Sequence, residues 1–299
     1  MMLSIIFERI FRDRPKIFTV LREVGYNGSD RKTSIFFGRA FMEKLELNIT
    51  RQWFDSFALS FSDDRGVLHP LLELKYRHSY RVEDNAMAIA RTIGWNDSDV
   101  FLARAAAVLH DVGRFPQFDR FGTFYDPVSV DHGKEGEKVL EEQFPWEYLD
   151  PGLKRIILGT TRFHNVKGLP ETIMEEDFLP FLKIVRDADK LDVFEIVREN
   201  MIAGKAGELF PGISPEPCFS EGMLKEVKKD KRASYGNVKT LMDFILLQLT
   251  WIYDVNFAPT ISMMNERGIT QWIKDQLSID SRSEPFLEDL FSHIHERIG

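Results

Sequence analysis

An imidazole and a carboxylate stand side by side at His110 and Asp111, directly after the apolar residues 105–109. Both side chain types bind divalent transition metal ions. The helical pattern ends at Gly113, so the pair lies in a last turn whose unpaired carbonyl groups and dipole attract a cation. Successive helical residues point about 100° apart, so the two side chains share an ion only beside the helix end. The remaining ligands must then come from other segments.

Other metal-binding side chains follow in order through the middle of the chain. They include four of the seven histidines and two aspartates on a helix-patterned segment: His78, His110, His132, His164, Asp187 and Asp189. A mixed imidazole and carboxylate set suits Fe, Mn, Co, Ni or Zn, and it is richer in nitrogen than a dedicated Ca or Mg site. The pattern predicts a transition metal centre, whereas His69, His293 and His295 fall outside it and are expected to be structural or exposed.

The elements that position these residues are predicted to be helices, because apolar residues recur three and four positions apart along nearly the whole chain. The prediction is an all-α protein. Helices are expected at about 1–24, 36–61, 71–92, 97–113, 134–143, 150–163, 177–200, 219–230, 236–254 and 259–276. Residues 114–135 contain two prolines and two glycines, and they are expected to form a long loop with at most one short turn.

Composition limits the partners and the compartment. The formal net charge of -8 and the lack of a basic run argue against a nucleic-acid polymer, so any bound phosphate is expected on a small molecule. The single cysteine, Cys218, cannot form an internal disulfide, which favours a reducing compartment. No run reaches the roughly 20 apolar residues of a membrane span, and Glu8 and Arg9 interrupt the N-terminal apolar segment too early for a signal peptide. A cytoplasmic protein without a membrane partner is therefore predicted.

The order of a histidine, a His-Asp pair and a distant aspartate resembles the ligand motif of the HD-domain superfamily of metal-dependent phosphohydrolases. The resemblance implies His78 as the first ligand, His110 and Asp111 as the pair, and Asp189 as the last ligand, with Asp187 as its rival. It also implies the architecture of an HD-domain helical bundle.

The resemblance divides the chain into three predicted parts. The metal-binding core covers residues 67–203, after an N-terminal helical extension at 1–66 and before a C-terminal helical cap at 204–299 that packs on the core. The segment 204–218 is rich in glycine and proline and is the predicted linker to the cap.

Two more histidines extend the set in the way that resembles two-metal members of the superfamily. His132 and His164 lie between the pair and the final aspartate, and Asp111 would bridge the two ions. Alternatively, both histidines contact substrate directly or are loop residues bonded to the backbone, so the number of ions stays open. The resemblance favours Fe or Mn, with Co, Ni, Zn and Mg as further candidates.

The implied reaction is hydrolysis of a phosphate ester by a metal-activated hydroxide, because a bound ion lowers the pKa of water and offsets charge on a phosphoryl oxygen. The predicted catalytic residues are Asp111, His132 and Arg114. Asp111 would hold the metal and Arg114 would face the phosphoryl group. The leaving group would take its proton from His132, from His164 or from water.

Substrate contacts are predicted at Arg81, Arg114, Asn165 and Lys190. Arg81 lies one helical turn after the first ligand, and Arg114 closely follows the His-Asp pair. The alternatives are that Arg81 pairs with Glu83 or Asp84 in solvent, that Arg114 caps helix carbonyl groups, and that Asn165 makes a turn.

A row of aromatic residues recurs at near-helical spacing after the pair: Phe115, Phe118, Phe121, Phe124 and Tyr125. They are expected to pack this segment onto the helical body. The alternative is that one or two of them stack on a nucleobase above the site.

Subfamily features narrow the substrate class. Alarmone hydrolases of the superfamily place an acidic pair shortly after the His-Asp pair, whereas residues 112–116 read Val-Gly-Arg-Phe-Pro. Cyclic-dinucleotide phosphodiesterases carry a His-His-Glu cluster and a Gly-Tyr-Pro signature, which residues 163–165 and 168–170 match only in part.

The chain looks similar to single-domain HD hydrolases, which predicts a phosphohydrolase for a nucleotide or another small phosphorylated molecule. The alternatives are a cyclic nucleotide or dinucleotide phosphodiesterase and a non-catalytic regulatory module that binds metal and nucleotide.

Overall fold

The computed structural model describes residues 46–149, 151–205, 212–277, 281 and 284–298. The helix predicted at 1–24 and the start of the one predicted at 36–61 lie outside these residues. The described part of the chain contains helices and no strand, with a single isolated bridge between Ser214 and Thr240. The prediction of an all-α protein is confirmed.

The helices are numbered in chain order and have the following bounds: α1 (46–59), α2 (Pro70–Thr92), α3 (Asp97–Leu109), α4 (Arg114–Phe121), α5 (His132–Gln143), α6 (Pro151–Phe163), α7 (Leu179–Ile202), α8 (Glu221–Asp230), α9 (Leu241–Thr250), α10 (Ala258–Glu266), α11 (Ile269–Leu277) and α12 (Glu284–Ile298). Short 3-10 turns join several of them. None of the described helices is long and apolar enough to cross a lipid bilayer.

The helix α3 lies at the centre of the bundle and contacts α2, α6 and α7. Its N-terminus is capped by Asn96, whose side-chain oxygen accepts the backbone N–H of Asp99 at 3.0 Å. The residues 105–109 are fully buried, and three of them are alanines. Because alanine adds little volume, the neighbouring helices can pack closely around α3. The His-Asp pair therefore leaves α3 in the middle of the core.

Two hydrophobic clusters meet along α7. The first extends from Leu47 to Ala188 and holds the packing of α2, α3 and α6, whereas the second extends from Leu191 to Ile294. The C-terminal helices α10 and α11 contact α7 directly. The division of the chain at residues 66/67 and 203/204 stays a prediction.

The segment 114–135 is more helical than expected. It forms α4, a 3-10 turn at Asp126–Val128 and the first turn of α5. Pro116 lies in the first turn of α4, where its missing N–H would have no helical partner. Gly122 has a φ of 65° and ends α4 in the left-handed conformation. The breakers of the sequence mark helix ends here and do not indicate a long loop.

The C-terminal helices also differ from the prediction. The helix expected at 236–254 is shorter, because Thr240 and Asp243 form a capping box that starts α9. The helix expected at 259–276 is divided at Gly268, which has a φ of 70°. The helix α12 was not predicted.

Candidate metal centre

Five segments bring the predicted ligands together. His78 lies on α2, the His-Asp pair in the turn after α3, His132 at the start of α5, His164 directly after α6, and Asp189 on α7. The four histidines and Asp111 are buried. Their side chains form two groups that share Asp111: His78, His110 and Asp111 in the first, and Asp111, His132 and His164 in the second.

The first group surrounds Oδ2 of Asp111. The Nε2 atoms of His78 and His110 lie 3.6 Å and 3.7 Å from this oxygen. Oδ1 of Asp189 lies 3.1 Å from Nε2 of His78 and 3.9 Å from Nε2 of His110. Two imidazole nitrogens and two carboxylates therefore converge on one small volume.

The nitrogens of the first group that face away from Asp111 are fixed. Nδ1 of His110 lies 2.6 Å from the carbonyl oxygen of Ala107, so this nitrogen carries the proton and Nε2 is bare. Nδ1 of His78 lies 2.6 Å from Oδ2 of Asp192. No described residue hydrogen-bonds to Nε2 of either histidine, although both atoms are buried. Leaving a buried polar atom without a partner costs about 1–3 kcal/mol, and a metal ion satisfies both nitrogens at once. The donor set thus fits a divalent ion.

The second group surrounds Oδ1 of Asp111. The Nε2 atoms of His132 and His164 lie 3.5 Å and 3.4 Å from this oxygen, and they lie 3.0 Å from each other. The Nδ1 atoms are held by Oδ2 of Asp126 at 2.6 Å and by the carbonyl oxygen of Thr161 at 2.8 Å. Two bare nitrogens cannot hydrogen-bond to each other, so their approach calls for a cation between them. The two oxygens of Asp111 face different groups, which suits a carboxylate that bridges two ions.

The charges of the centre suit metal binding at neutral pH. Burial lowers the pKa of His110 to about 4, and burial together with Arg114 lowers the pKa of His132 to about 3, so both imidazoles are neutral. Burial alone would raise the pKa of Asp111, but Lys75 and the facing imidazoles hold it well below its usual range. Neutral histidine and ionised aspartate are the forms that bind a metal ion.

Arg81, predicted to contact substrate, is held by an aspartate. Its Nε and Nη2 donate to Asp192 at 2.6 Å and 3.0 Å, and the same carboxylate holds His78. The alternative partner Glu83 is buried and pairs with Arg51 and Arg104 instead. Arg81 therefore orients Asp192 and, through Asp192, the predicted first ligand His78.

Arg114, the other predicted phosphate partner, lies beside Asp111. Its Nη1 donates to Gln117, to the carbonyl oxygen of Phe124 and to Asp126 at 2.7–2.9 Å. Its Nε is buried 3.6 Å from Oδ1 of Asp111 and has no hydrogen-bond partner among the described residues. The guanidinium is fixed by the segment between α4 and α5 and keeps one donor directed towards the centre.

Asn165 lies next to the second group. Its Nδ2 donates to Asp131 at 3.0 Å, and its Oδ1 is buried without a hydrogen-bond partner in the described part of the chain. The residue therefore ties the turn after α6 to the N-terminus of α5 and leaves one acceptor unused.

Two predicted residues are engaged elsewhere. Nζ of Lys190 lies 2.9 Å from Asp254, so the ammonium serves the contact between α7 and the C-terminal helices. The rival ligand Asp187 accepts the backbone N–H groups of Asn256 and Phe257 and the hydroxyl of Thr260, all at 2.9–3.0 Å. Asp189 is thus the aspartate of this helix that reaches the centre.

Three further residues, Lys75, Asp126 and Asp192, belong to the site and are not among the predicted residues. Lys75 donates to Oδ2 of Asp111 at 2.7 Å. A signal was available only for Asp192, which lies one helical turn after Asp189. Lys75 likewise lies one turn before His78, but the spacing alone does not distinguish it from a solvent-exposed lysine.

Three of the five aromatic residues after the pair, Phe115, Phe118 and Phe124, pack onto the helical body as expected, whereas Phe121 and Tyr125 are nearly half exposed. Phe115 is fully buried and contacts the rings of Phe54, Phe57 and Phe61. The ring of Phe124 lies 5.9 Å from Nζ of Lys75 and 5.7 Å from the guanidinium of Arg114. The ring of Phe124 therefore lies within cation–π distance of both cations that flank Asp111.

The central part of the chain matches a known protein family. Residues 76–193 match the family model described as HD domain. No curated protein and no solved structure matches the chain in the same comparisons. All six side chains that converge on the centre lie inside the matched residues. With its two groups sharing Asp111, this part of the chain belongs to the HD-domain superfamily.

Proposed function

We propose that the protein is a metal-dependent phosphohydrolase that cleaves a phosphate ester of a nucleotide or of another small phosphorylated molecule. One observation carries the proposal: the two oxygens of Asp111 face two separate pairs of buried imidazole nitrogens. HD-domain proteins are mostly metal-dependent phosphohydrolases, which agrees with this donor set.

A metal ion held by His78, His110, Asp111 and Asp189, with a second held by Asp111, His132 and His164, would supply Lewis acidity and lower the pKa of a water. Fe or Mn is the proposed metal because the resemblance to HD-domain phosphohydrolases favours these ions, and the imidazole and carboxylate donors suit Co, Ni or Zn as well. Residues of the chain would bind the phosphoryl group and orient the histidines.

Arg114 directs its free Nε towards the volume beside Asp111 and offsets charge on the phosphoryl group of the substrate. His132 and His164 face Asp111 and each other with bare nitrogens, so neither holds a proton for the leaving group. The leaving oxygen therefore takes its proton from solvent water. Asp126 keeps His132 in the required tautomer by accepting from Nδ1.

The net charge of -8 supports a small anionic substrate and not a nucleic-acid polymer. The single cysteine supports a reducing, cytoplasmic setting for the reaction.

The proposal is tested by metal analysis of the purified chain, followed by phosphate release from nucleotides and from a simple aryl phosphate with Mn or Fe added. Asp111→Ala should lose metal from both groups and reduce hydrolysis by several orders of magnitude. Asp119→Ala changes an exposed aspartate on α4 and should behave as the wild type. If Asp111→Ala retained both its metal and its hydrolysis, the proposal would be wrong. Faster cleavage of a diester than of a monoester would indicate a phosphodiesterase.

The number of ions is tested by His132→Ala. If two ions bind, this variant should keep about half of the metal of the wild type, because the first group is intact. An unchanged metal content would favour a single ion at His78, His110 and Asp189.

A further inference from the structure

Lys75 places a nearly buried ammonium group against the shared carboxylate of the centre. Its Nζ lies 2.7 Å from Oδ2 of Asp111, and only 15% of its side chain is exposed. Its neighbour on α2, Arg77, is 70% exposed and pairs with Glu73 on the surface. Lys75 is therefore directed into the bundle, while the next basic residue of the same helix points to solvent.

The ion pair between Lys75 and Asp111 would weaken if the centre bound metal ions. Metal ions held by both groups would draw on the charge of the Asp111 carboxylate. The ammonium would then lose much of its attraction to that carboxylate, while the ring of Phe124, 5.9 Å from Nζ, would still support it. A partly desolvated cation without a full counter-charge favours an anionic ligand.

Arg114 stands on the other side of the same carboxylate. Its free Nε lies near Oδ1, whereas Lys75 lies at Oδ2, and both cations approach the same ring of Phe124. A phosphoryl group that enters over Asp111 would thus meet one cation at each oxygen. Phosphate carries three terminal oxygens, so two flanking donors can bind it without competing.

We propose that Lys75 binds a non-bridging phosphoryl oxygen of the substrate on the Oδ2 side of Asp111, opposite Arg114. The inference rests on the proposed phosphohydrolase function and assigns a substrate contact to a residue just outside the segment that matches the HD domain. The competing role is a positioning one, in which Lys75 only holds Asp111 for metal binding. The two roles differ in what Lys75→Met does to metal content.

The experiment uses the full chain loaded with Mn and inorganic phosphate as the probe, with binding measured by calorimetry. Lys75→Met should weaken phosphate binding by at least about tenfold, because a charge-assisted hydrogen bond is lost, while the Mn content stays at the wild-type value. Lys75→Arg keeps the charge and should restore part of the affinity. Arg77→Met removes a basic residue of the same helix and should bind phosphate as the wild type does.

Each outcome decides the matter. If Lys75→Met bound phosphate as tightly as the wild type, the Lys75 proposal would fail and the proposed function would stand. If Lys75→Met lost its Mn, Lys75 would be a positioning residue for Asp111. A wild-type chain that took up no metal would overturn both proposals. Should Lys75→Met not fold, as judged by circular dichroism, Lys75→Gln keeps a neutral donor to Asp111 and carries the same comparison.

Discussion

Each histidine of the centre is fixed through the nitrogen that faces away from Asp111, but the acceptors differ in charge. Backbone carbonyl groups hold His110 and His164, whereas carboxylates hold His78 and His132. A carboxylate partner makes the imidazole a stronger metal ligand than a carbonyl partner does. One histidine of each type is present in each group, so each group pairs a more basic imidazole with a less basic one.

Asp192→Asn should weaken metal binding at the first group by about 10–100-fold. The substitution removes the charge that holds both His78 and Arg81, and it allows the imidazole to adopt the other tautomer. Competition with a chelator of known affinity measures the effect. Glu199→Gln changes an exposed acid on the same helix and should leave the affinity unchanged. Equal affinities for Asp192→Asn and the wild type would contradict this role.

The proposed ligands come from the order of histidines and aspartates that resembles the HD-domain motif, and the structure brings these side chains together. The residues that orient these side chains could not be predicted from the sequence. Arg81 was assigned to substrate, yet it pairs with Asp192, a residue 111 positions away in the chain. Lys75 reaches Asp111 from 36 positions away. Such contacts depend on how helices pack, which hydrophobic periodicity does not specify.

At the level of elements, α4 and α5 approach each other through glycines. A Cβ atom on Gly113 would lie 2.1 Å from the carbonyl oxygen of His132 and 2.6 Å from the backbone nitrogen of Gly136. Gly113 belongs to the turn that contains Asp111, and His132 is the first residue of α5. The close approach of the two backbones therefore sets the distance between Asp111 and His132.

Gly113→Ala should destabilise the protein by at least about 1–3 kcal/mol, because the added methyl group meets backbone atoms that cannot rotate away. It should also weaken metal binding at the second group, since α5 must move. Urea unfolding and metal content measure the two effects. Gly168→Ala is the matched control, because its Cβ would have no described atom within 4 Å. A Gly113→Ala variant as stable as that control would contradict the tight contact.

Element boundaries could be predicted only where the pattern and the caps agree. The predicted helix at 71–92 has the observed end, and the polar cluster at 96–98 starts α3 as expected. The segment 114–135 was expected to be a loop because it contains prolines and glycines. Pro116 and Gly122 instead lie at the two ends of α4, where a helix tolerates them. Residue type alone does not distinguish a breaker inside a helix from one at its end.

In the molecule as a whole, α7 joins the metal centre to the C-terminal helices. Asp189 faces the centre, while Asp187 and Lys190 on the same helix hold the segment before α10. Asp187 is buried and accepts four donors, which are two backbone N–H groups, an amide and a hydroxyl. The helix α7 therefore carries both the proposed ligand Asp189 and the contacts with the segment before α10.

Metal-free protein should become less stable as the pH is lowered from about 7 to 5. The buried centre binds protons poorly: the pKa is about 4 for His110 and about 3 for His132, against about 6.5 for histidine in an unfolded chain. Within that window the unfolded state holds more protons, so stability rises with pH and falls on acidification.

His78 acts in the opposite direction, because contacts with Asp189 and Asp192 outweigh burial and Lys75 and raise its pKa. Its contribution is present at low pH and is lost as the pH rises through the raised value. With two histidines against one, the net loss at pH 5 should be on the order of 2 kcal/mol. Urea unfolding of chelator-treated protein at pH 7 and pH 5 measures this loss of stability.

His132→Leu should reduce the loss, because one of the two histidines that resist protonation is then absent. Saturating metal should steepen the loss in the wild type, since protons compete with the ions for the same nitrogens. A metal-free protein equally stable at both pH values would show that the histidines of the centre are not held neutral by burial.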